Sequence, residues 1–350
     1  MGCLNPHIGS RIKKSFLVWG VNNYKRSSII MKRFSLIIYL FLMTFFLNLS
    51  ASNLESTNHA EKLNKNIDDK SNESEAGQTQ SGNQEAEKTL KIGILAFSAS
   101  QQPNGMVSFG QNILNKKQAQ AFLLANEFKG DEEYFINLVP SILYGFTDSL
   151  SLFISAPIAV RYRQDDHHSS GPGDLSIQLE YAFYTKAYKT YYDQATVVTN
   201  VTIPTGSTKK NPPTGIGSNS FFIGGTYSRT GIDWFGFTSS GGILTTSSHQ
   251  TKFGDQFLYQ FGFGRRIANT KEWLFAWMVE FDGTYSWKDK IHGIIDPNSG
   301  GNVIYLTPSL FISSENLIFQ LGIGCPIQQH LFGQQTKNDY FLELNAGWTF

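Results

Sequence analysis

Apolar and polar residues alternate along most of the chain after residue 117, and this period of two is compatible with few folds. Between Leu175 and Phe183 the odd positions are apolar, whereas the even positions from Asp174 to Ala182 are polar or small. Successive side chains of a β-strand point to opposite faces, so such a segment has one apolar and one polar face. The pattern predicts twelve strands, at 117–128, 134–146, 150–162, 173–184, 191–203, 220–229, 234–244, 255–266, 273–285, 302–312, 317–327 and 339–350.

The connections between these segments alternate in length. Those after even-numbered segments are short, as at 147–149, and those after odd-numbered segments are long, as at 163–172, 204–219 and 328–338, except for the short 129–133. Outer-membrane barrels have short periplasmic turns and longer outer loops. The sequence therefore predicts an all-β fold, a transmembrane antiparallel up-and-down β-barrel of about 12 strands over residues 117–350, with both termini on the periplasmic side.

Three prolines lie inside predicted strands, at Pro140, Pro157 and Pro308. Proline has no backbone N–H to donate to a neighbouring strand, so it is found at edges, strand ends and bulges. We therefore expect bulges or strand ends near these three positions.

The residues before the barrel divide into three further segments. Residues 31–52 have the basic start, apolar core and small-residue end of a cleaved signal peptide for the general secretory route, and we expect translation to begin at Met31. Residues 1–30 would then be a non-native upstream extension. Residues 53–89 are polar and without period, which predicts a disordered tail that cannot bury enough surface to offset its ordering entropy.

Residues 90–116 differ from the tail that precedes them because apolar side chains reappear, among them Ile92, Leu95 and Phe109. The polar run 101–105 interrupts them. The sequence leaves three interpretations of this segment open: a short strand, an added helix, or a plug or lead-in that enters the barrel.

Charge and cysteine content exclude some classes of function. Seven of the 29 basic residues and none of the 28 acidic residues lie in residues 1–52, so the remaining chain is mildly acidic and no nucleic-acid partner is expected. Cys3 and Cys325 are far apart and predict no disulfide framework.

The last twelve residues, 339–350, alternate strongly and end on an aromatic residue with another two positions before it. Tyr340, Trp348 and Phe350 lie on the apolar set of this segment. The ending resembles the terminal strand by which outer-membrane barrels are recognised for insertion. We therefore expect these three residues to act as an insertion signal, with the barrel-assembly machinery and outer-membrane lipid as partners and the bacterial cell outer membrane as the location.

Three stretches carry a family resemblance: GPGDLSIQLEYAFY at Gly171–Tyr184, YGFTDSLSL at Tyr144–Leu152, and IPTGSTKKNPPTGIGSNSFFIGGTYSR at Ile203–Arg229. Over roughly residues 130–350 the chain resembles the outer-membrane barrel family named for the MetA pathway of phenol degradation. The resemblance implies a porin-like barrel for the uptake or passage of small molecules. It carries no catalytic or binding motif to this chain, and it is not evidence for phenol.

Catalysis is not expected. The histidines of the barrel region fall in predicted outer loops, and none shares a strand with a candidate nucleophile. His167 and His168 beside Asp165 and Asp166 could bind a metal, but an exposed polar loop explains them equally well. No cofactor, metal site or catalytic residue is predicted.

The polar face of the predicted strands would line the lumen. Charged residues on that face have two interpretations, opposing pairs that fill the interior or a lining that selects solutes, and their mixed charge argues against strong ion selectivity. The candidates are Glu127, Arg161, Asp174, Glu180, Arg229, Arg266, Glu280, Asp282 and Glu343.

The leading hypothesis is a passive channel or transporter for a small solute, with hydrophobic solutes among the candidates, and a monomer is favoured. Twelve strands lie between the filled eight-stranded barrel and the aqueous sixteen-stranded pore, so a narrow passage fits the geometry. One alternative is an adhesin-like barrel that uses its long outer loops to bind a partner. The other, with less support, is a lipid-modifying barrel enzyme.

Overall fold

The computed structural model describes residues 90–248 and 250–350. The predicted upstream extension (1–30), signal peptide (31–52) and polar tail (53–89) lie outside the described residues. In the described part, fourteen strand segments form one antiparallel sheet, and the first segment, Ala119–Gly130, pairs with both the last, Asn338–Thr349, and the second, Glu133–Thr147. The sheet is therefore a closed up-and-down barrel.

The barrel has twelve strands because two of them are each divided into two segments. The undivided strands are β1 (Ala119–Gly130), β2 (Glu133–Thr147), β7 (Tyr191–Ile203), β8 (Ser220–Gly231), β9 (Trp234–Thr245), β11 (Gln256–Asn269), β12 (Leu274–Ser286), β15 (Gly301–Ser313), β16 (Leu317–Leu331) and β17 (Asn338–Thr349). The divided strands are β3 (Leu150–Ser155) with β4 (Ile158–Gln164), and β5 (His167–Pro172) with β6 (Leu175–Ala187). The twelve-stranded membrane barrel predicted from the alternation is confirmed.

The three prolines mark irregular pairing. Pro157 lies in the break between β3 and β4, and Pro140 of β2 faces that break, where it accepts a hydrogen bond from the Ala156 N–H at 3.1 Å. Pro308 keeps its place in β15, but the pairing between β15 and β16 is interrupted there, between Leu306 and Ser309. Each missing N–H thus coincides with a gap in the ladder.

The two faces of the barrel wall differ in the way the alternation predicts. On β11, Phe257, Phe261 and Phe263 are exposed on the outer face, whereas Gln260 is buried on the inner face. On β17, Leu342, Leu344 and Trp348 are also exposed outwards. An apolar outer face and a polar inner face are the arrangement that a lipid bilayer requires of a barrel.

Two predicted loop boundaries are wrong. The residues predicted as the loop 163–172 form a hairpin extension, in which β4 and β5 are joined by only Asp165 and Asp166. β16 continues to Leu331, which shortens the predicted loop 328–338. The long-loop end also carries a small sheet, formed by β10 (Thr251–Lys252), β13 (Lys290–Ile291) and β14 (Ile294–Ile295).

Within the described residues, no helix has the length and apolar character needed to cross a membrane.

Candidate functional site: the lumen and the segment inside it

Residues 90–118, here called the inner segment, lie within the ring of strands. Apart from two short 3₁₀ turns, Gly93–Ala96 and Ala99–Gln101, they have no regular structure and join no strand of the wall. Their hydrogen bonds go to inward-facing residues all around the barrel, namely Ser151, Glu180, Thr226, Gln260, Glu280, Ser313, Gln320 and Thr349. Of the three interpretations left open by the sequence, the geometry matches a segment that enters the barrel.

The inner segment is anchored at the short-turn end by apolar packing. Ile94 is completely buried, and its N–H donates to the carbonyl of Ile232 at 2.8 Å. Removing such a side chain from water is worth about 1.5–3 kcal/mol. The wall residues in this cluster come from β9, β12, β15 and β16: Phe235, Phe237, Leu274, Ala276, Met278, Phe311 and Ile318.

Two buried glutamates hold the inner segment at mid-barrel. Glu280 of β12 accepts hydrogen bonds from the backbone N–H groups of Met106 (2.8 Å), Val107 (3.3 Å) and Ser108 (3.3 Å). Glu180 of β6 accepts bonds from the backbone N–H of Asn112 at 2.9 Å and from its side-chain amide at 3.0 Å. Both glutamates are fully buried, so these donors supply the hydrogen bonds that water would otherwise give.

Close packing also fixes the turn of the inner segment between the two glutamates. Gly110 has a φ of +80°, and a Cβ there would lie 2.5 Å from the Thr226 hydroxyl oxygen. The same hydroxyl donates to the Phe109 carbonyl at 2.6 Å. The Phe109 ring meets the inward-facing Phe222 ring edge-on, with the centroids 4.7 Å apart. A glycine is therefore required where the segment touches β8.

The inner segment does not fill the lumen completely, and two spaces of different size lie beside it. A cavity of about 40 Å³ lies between it and the inner faces of β7, β8 and β9, enough for about one water molecule. At the short-turn end, an open cleft of about 980 Å³ separates Phe97 and Gln101 from the turns around Lys271 and Glu315. Both spaces lie towards the short-turn end, and the larger one is open there.

Four of the nine predicted lining residues are carboxylates on the inner face. Glu180, Glu280 and Asp282 are at most 5 % exposed, and Glu343 pairs in register with the inward-facing Asn126 and Gly322. Gln260 donates to Asp282 at 3.3 Å, and the Thr307 hydroxyl donates to it at 2.9 Å. These four residues form an acidic belt around the middle of the lumen.

Arg266 also faces inwards, opposite the buried Ala276, but at the short-turn end. Its guanidinium pairs with Asp233 in the adjacent turn at 2.6 Å. This arginine neutralises a turn carboxylate and belongs to the rim of the lumen.

Three of the predicted lining residues lie instead on the outer face. Glu127 pairs in register with the outward-facing Leu342 and accepts a hydrogen bond from the Tyr340 hydroxyl at 3.0 Å. Arg161 stands opposite Ile136, because a bulge at Val160 reverses the alternation of β4. The expectation that these two side chains line the lumen is therefore not met.

Arg229 is the third predicted lining residue that lies on the outer face, which it shares on β8 with the exposed Tyr227. It forms a two-pronged pair with Asp193 of β7, with distances of 2.6 and 2.8 Å, and its guanidinium lies 4.4 Å from the centre of the Tyr191 ring. Asp193 had no part in the sequence prediction, and only the cross-strand register reveals it.

The remaining predicted lining residue, Asp174, lies between β5 and β6 and organises a loop. Its two carboxylate oxygens accept hydrogen bonds from the backbone N–H groups of Gly206 and Ile216, both at 2.8 Å. These contacts tie the two ends of the loop 204–219 to the wall.

The predicted insertion residues Tyr340 and Trp348 lie on the outer face of β17, and Phe350 follows the strand with its side chain exposed. The backbone N–H of Phe350 donates to the carbonyl of Ala119 at 2.8 Å. The last residue thus takes part in the seam between the last and first barrel strands.

The histidine pair stands on β5, with His167 opposite Gln164 and His168 opposite Arg163, rather than in a loop. His330 likewise lies on β16. Among the described residues, no group of three or more histidine, cysteine, aspartate or glutamate side chains is placed to hold a metal ion.

Comparison with known proteins identifies similar structures but no similar sequence. No protein-family model and no curated protein matches the chain. A crystal structure of an outer membrane channel from Pseudomonas putida F1 is similar with a TM-score of 0.56 and 14 % identity, over 70 % of this chain and 100 % of that one. The family named from the sequence motifs is therefore not established, whereas the outer-membrane barrel fold is.

Two further solved structures are more distant. The NanC porin has a TM-score of 0.42 and 9 % identity, over 65 % of this chain and 98 % of that chain. LpxR from Salmonella typhimurium has a TM-score of 0.39 and 9 % identity, over 66 % of this chain and 100 % of that one.

Proposed function

We propose that this protein is an outer-membrane channel for the passive passage of a small solute, and that the inner segment closes its lumen. The observation that carries the proposal is the attachment of residues 90–118, which join no strand and are held at mid-barrel by buried glutamates. A segment that was only part of the wall would pair with a strand edge, yet every barrel strand already has two neighbours.

The inner segment can leave without breaking the wall. Each of its polar contacts is worth about 0.5–1.5 kcal/mol net, or about 1.5–3 where a charged group accepts. A solute that competes for these contacts, or a force on the residues before Leu90, would free the passage. The outer-membrane channel from Pseudomonas putida F1 supports this function by analogy of fold alone.

The inner face of the wall favours a polar solute. At mid-barrel the inner face carries carboxylates, amides and hydroxyls, including Glu280, Asp282 and Gln320. A polar solute therefore fits this lumen better than the hydrophobic solutes considered from the sequence. The ring closed by β1 and β17 needs no second copy, which supports a monomer. Export by the general secretory route and insertion by the barrel-assembly machinery are part of the same proposal.

Conductance in planar bilayers tests the proposal. The full chain is compared with a variant in which residues 93–114 are replaced by a short glycine–serine linker, and heat-modifiable migration in gels verifies that both barrels are folded. The variant should show a larger and steadier conductance than the full chain. A folded variant that conducts no more than bare lipid would overturn the channel function.

A further inference from the structure

The acidic belt of the lumen has no basic partner. Four ion pairs occur among the described residues, at Lys129–Asp339, Arg229–Asp193, Lys252–Asp255 and Arg266–Asp233. None of them includes Glu180, Glu280, Asp282 or Glu343. Buried carboxylates are costly unless donors or cations compensate them. The middle of the lumen is therefore lined by buried carboxyl groups that have hydrogen-bond donors but no cation beside them.

Glu280 and Glu180 receive hydrogen bonds from N–H groups alone, and all but one of these groups belong to the inner segment. Three backbone N–H groups converge on Glu280, and Glu180 receives two from Asn112 and one from the Gln178 amide at 2.7 Å. A primary ammonium offers three such donors and a guanidinium five, and both add a positive charge. The segment therefore occupies the positions that a nitrogenous cation would take.

Other inward-facing acceptors near the acidic belt have no donor among the described residues. Gln260 and Ser309 are each 6 % exposed, and neither the Gln260 side-chain oxygen nor the Ser309 hydroxyl has a partner among the described residues. Gln260 touches Asp282 through its amide nitrogen. One carboxylate oxygen of Glu343 is also buried without a partner. These vacant acceptors need donors, and the wall supplies none.

A glycine of the wall lies between two of these acceptors. Ser309, Gly322 and Glu343 are consecutive in register across β15, β16 and β17. A Cβ on Gly322 would lie 3.0 Å from the Ser309 Cβ and 2.6 Å from the Met106 sulfur. The glycine therefore leaves a recess between Ser309 and Glu343, and the inner segment covers it with the Met106 side chain.

From these contacts we infer that the solutes of the channel are small organic cations with several N–H donors, such as primary amines or guanidines. They bind the acidic belt and compete with the inner segment for Glu180 and Glu280. The inference rests on the proposed channel function and names the substrate class for it. Binding of the cation then promotes opening, because the carboxylates released by the segment are taken by the solute.

Liposome swelling with three amino acids of similar size tests the inference on the full chain. Lysine should enter roughly tenfold faster than glutamate, with glutamine between them, because a lumen of one sign of charge concentrates its counter-ion. The double variant Glu180→Gln with Glu280→Gln keeps the side-chain size and one acceptor oxygen at each position but removes both carboxyl groups. It should lose most of the preference for lysine.

Glu127→Gln is the matched control, because it removes a carboxylate from the outer face and should retain the preference. Heat-modifiable migration verifies folding of every variant. Equal or faster entry of glutamate through the wild type, or an unchanged preference in the double variant, would overturn the inference.

The linker variant that lacks residues 93–114 separates this inference from the proposed function. If the full chain excludes all three amino acids, the preference is measured in the linker variant, which keeps all four carboxylates. Entry there without preference for lysine refutes the cation inference and leaves the channel intact. No entry through the folded linker variant refutes the channel function itself, and the inference with it.

Discussion

The barrel wall and the inner segment are built from different interactions, although both bury apolar side chains. Each wall strand is joined to two neighbours by a ladder of backbone hydrogen bonds, as in the eleven register pairs between β1 and β17. The inner segment has no ladder and is held by separate contacts to Glu180, Glu280, Thr226 and a few other side chains. The wall should therefore assemble as one cooperative unit, whereas the segment can be detached from it.

The largest effect should come from a substitution after the last barrel strand, and it should be on assembly of the barrel. Phe350→Ala keeps the backbone bond to Ala119 but removes the exposed terminal ring, which we expect to act in insertion. Most of the assembled barrel should be lost from outer-membrane fractions. Immunoblots of heat-modifiable protein measure the loss.

Phe253→Ala is the control, since it removes an equally large ring from a loop and should leave assembly unchanged. If the Phe350 variant assembles normally and only solute passage slows, the terminal ring belongs to the pore and not to assembly.

A second wall prediction concerns depth in the membrane. Leu344 lies near the middle of β17, with its side chain 47 % exposed on the outer face. Leu344→Arg should destabilise the folded barrel by about 2–4 kcal/mol, because an arginine at the bilayer midplane must leave water. Urea unfolding in lipid vesicles, followed by tryptophan fluorescence, measures the change.

Leu244→Arg provides the comparison, because Leu244 is exposed on the outer face next to the long-loop end of β9. Near the interface the same substitution should cost about 0–1 kcal/mol. Equal costs at the two positions would mean that the outer face is not in contact with lipid along its full height.

The same contrast explains which parts the sequence could predict. Strands of the wall are specified locally by alternation, so their number and most of their bounds follow from the residues alone. A bulge is not visible in that pattern, and the one at Val160 moved Arg161 to the other face. Glu127 was misplaced because its strand mixes polar and apolar residues on both faces, with Leu124 and Asn126 inside and Leu123 and Glu127 outside.

The inner segment could not be predicted because its structure is determined by partners far away in sequence. Met106 and Glu280 are separated by 174 positions, and no period in residues 90–118 reports that contact. In hindsight, Gly93 and Gly110 indicate that the segment packs against the wall, since both have a positive φ and each allows a close approach to a wall residue. Pairing of buried carboxylates with backbone N–H groups leaves no charge pattern in the sequence.

The smallest effect should come from a single methyl group on the inner segment. Gly110→Ala places a Cβ against the Thr226 hydroxyl in a backbone conformation that alanine avoids, at a cost of about 1–3 kcal/mol. Gly293 has nearly the same φ, +79°, but no atom within 4 Å of its Cβ position. Gly293→Ala therefore measures the cost of the backbone strain without a steric clash.

Both substitutions are made in a Cys325→Ser background with Ser108→Cys as the reporter. Labelling of that thiol should accelerate in the Gly110 variant alone, while urea unfolding of the wall stays unchanged. If wall stability falls together with the faster labelling, the two regions unfold as one unit and the segment is not a separable closure.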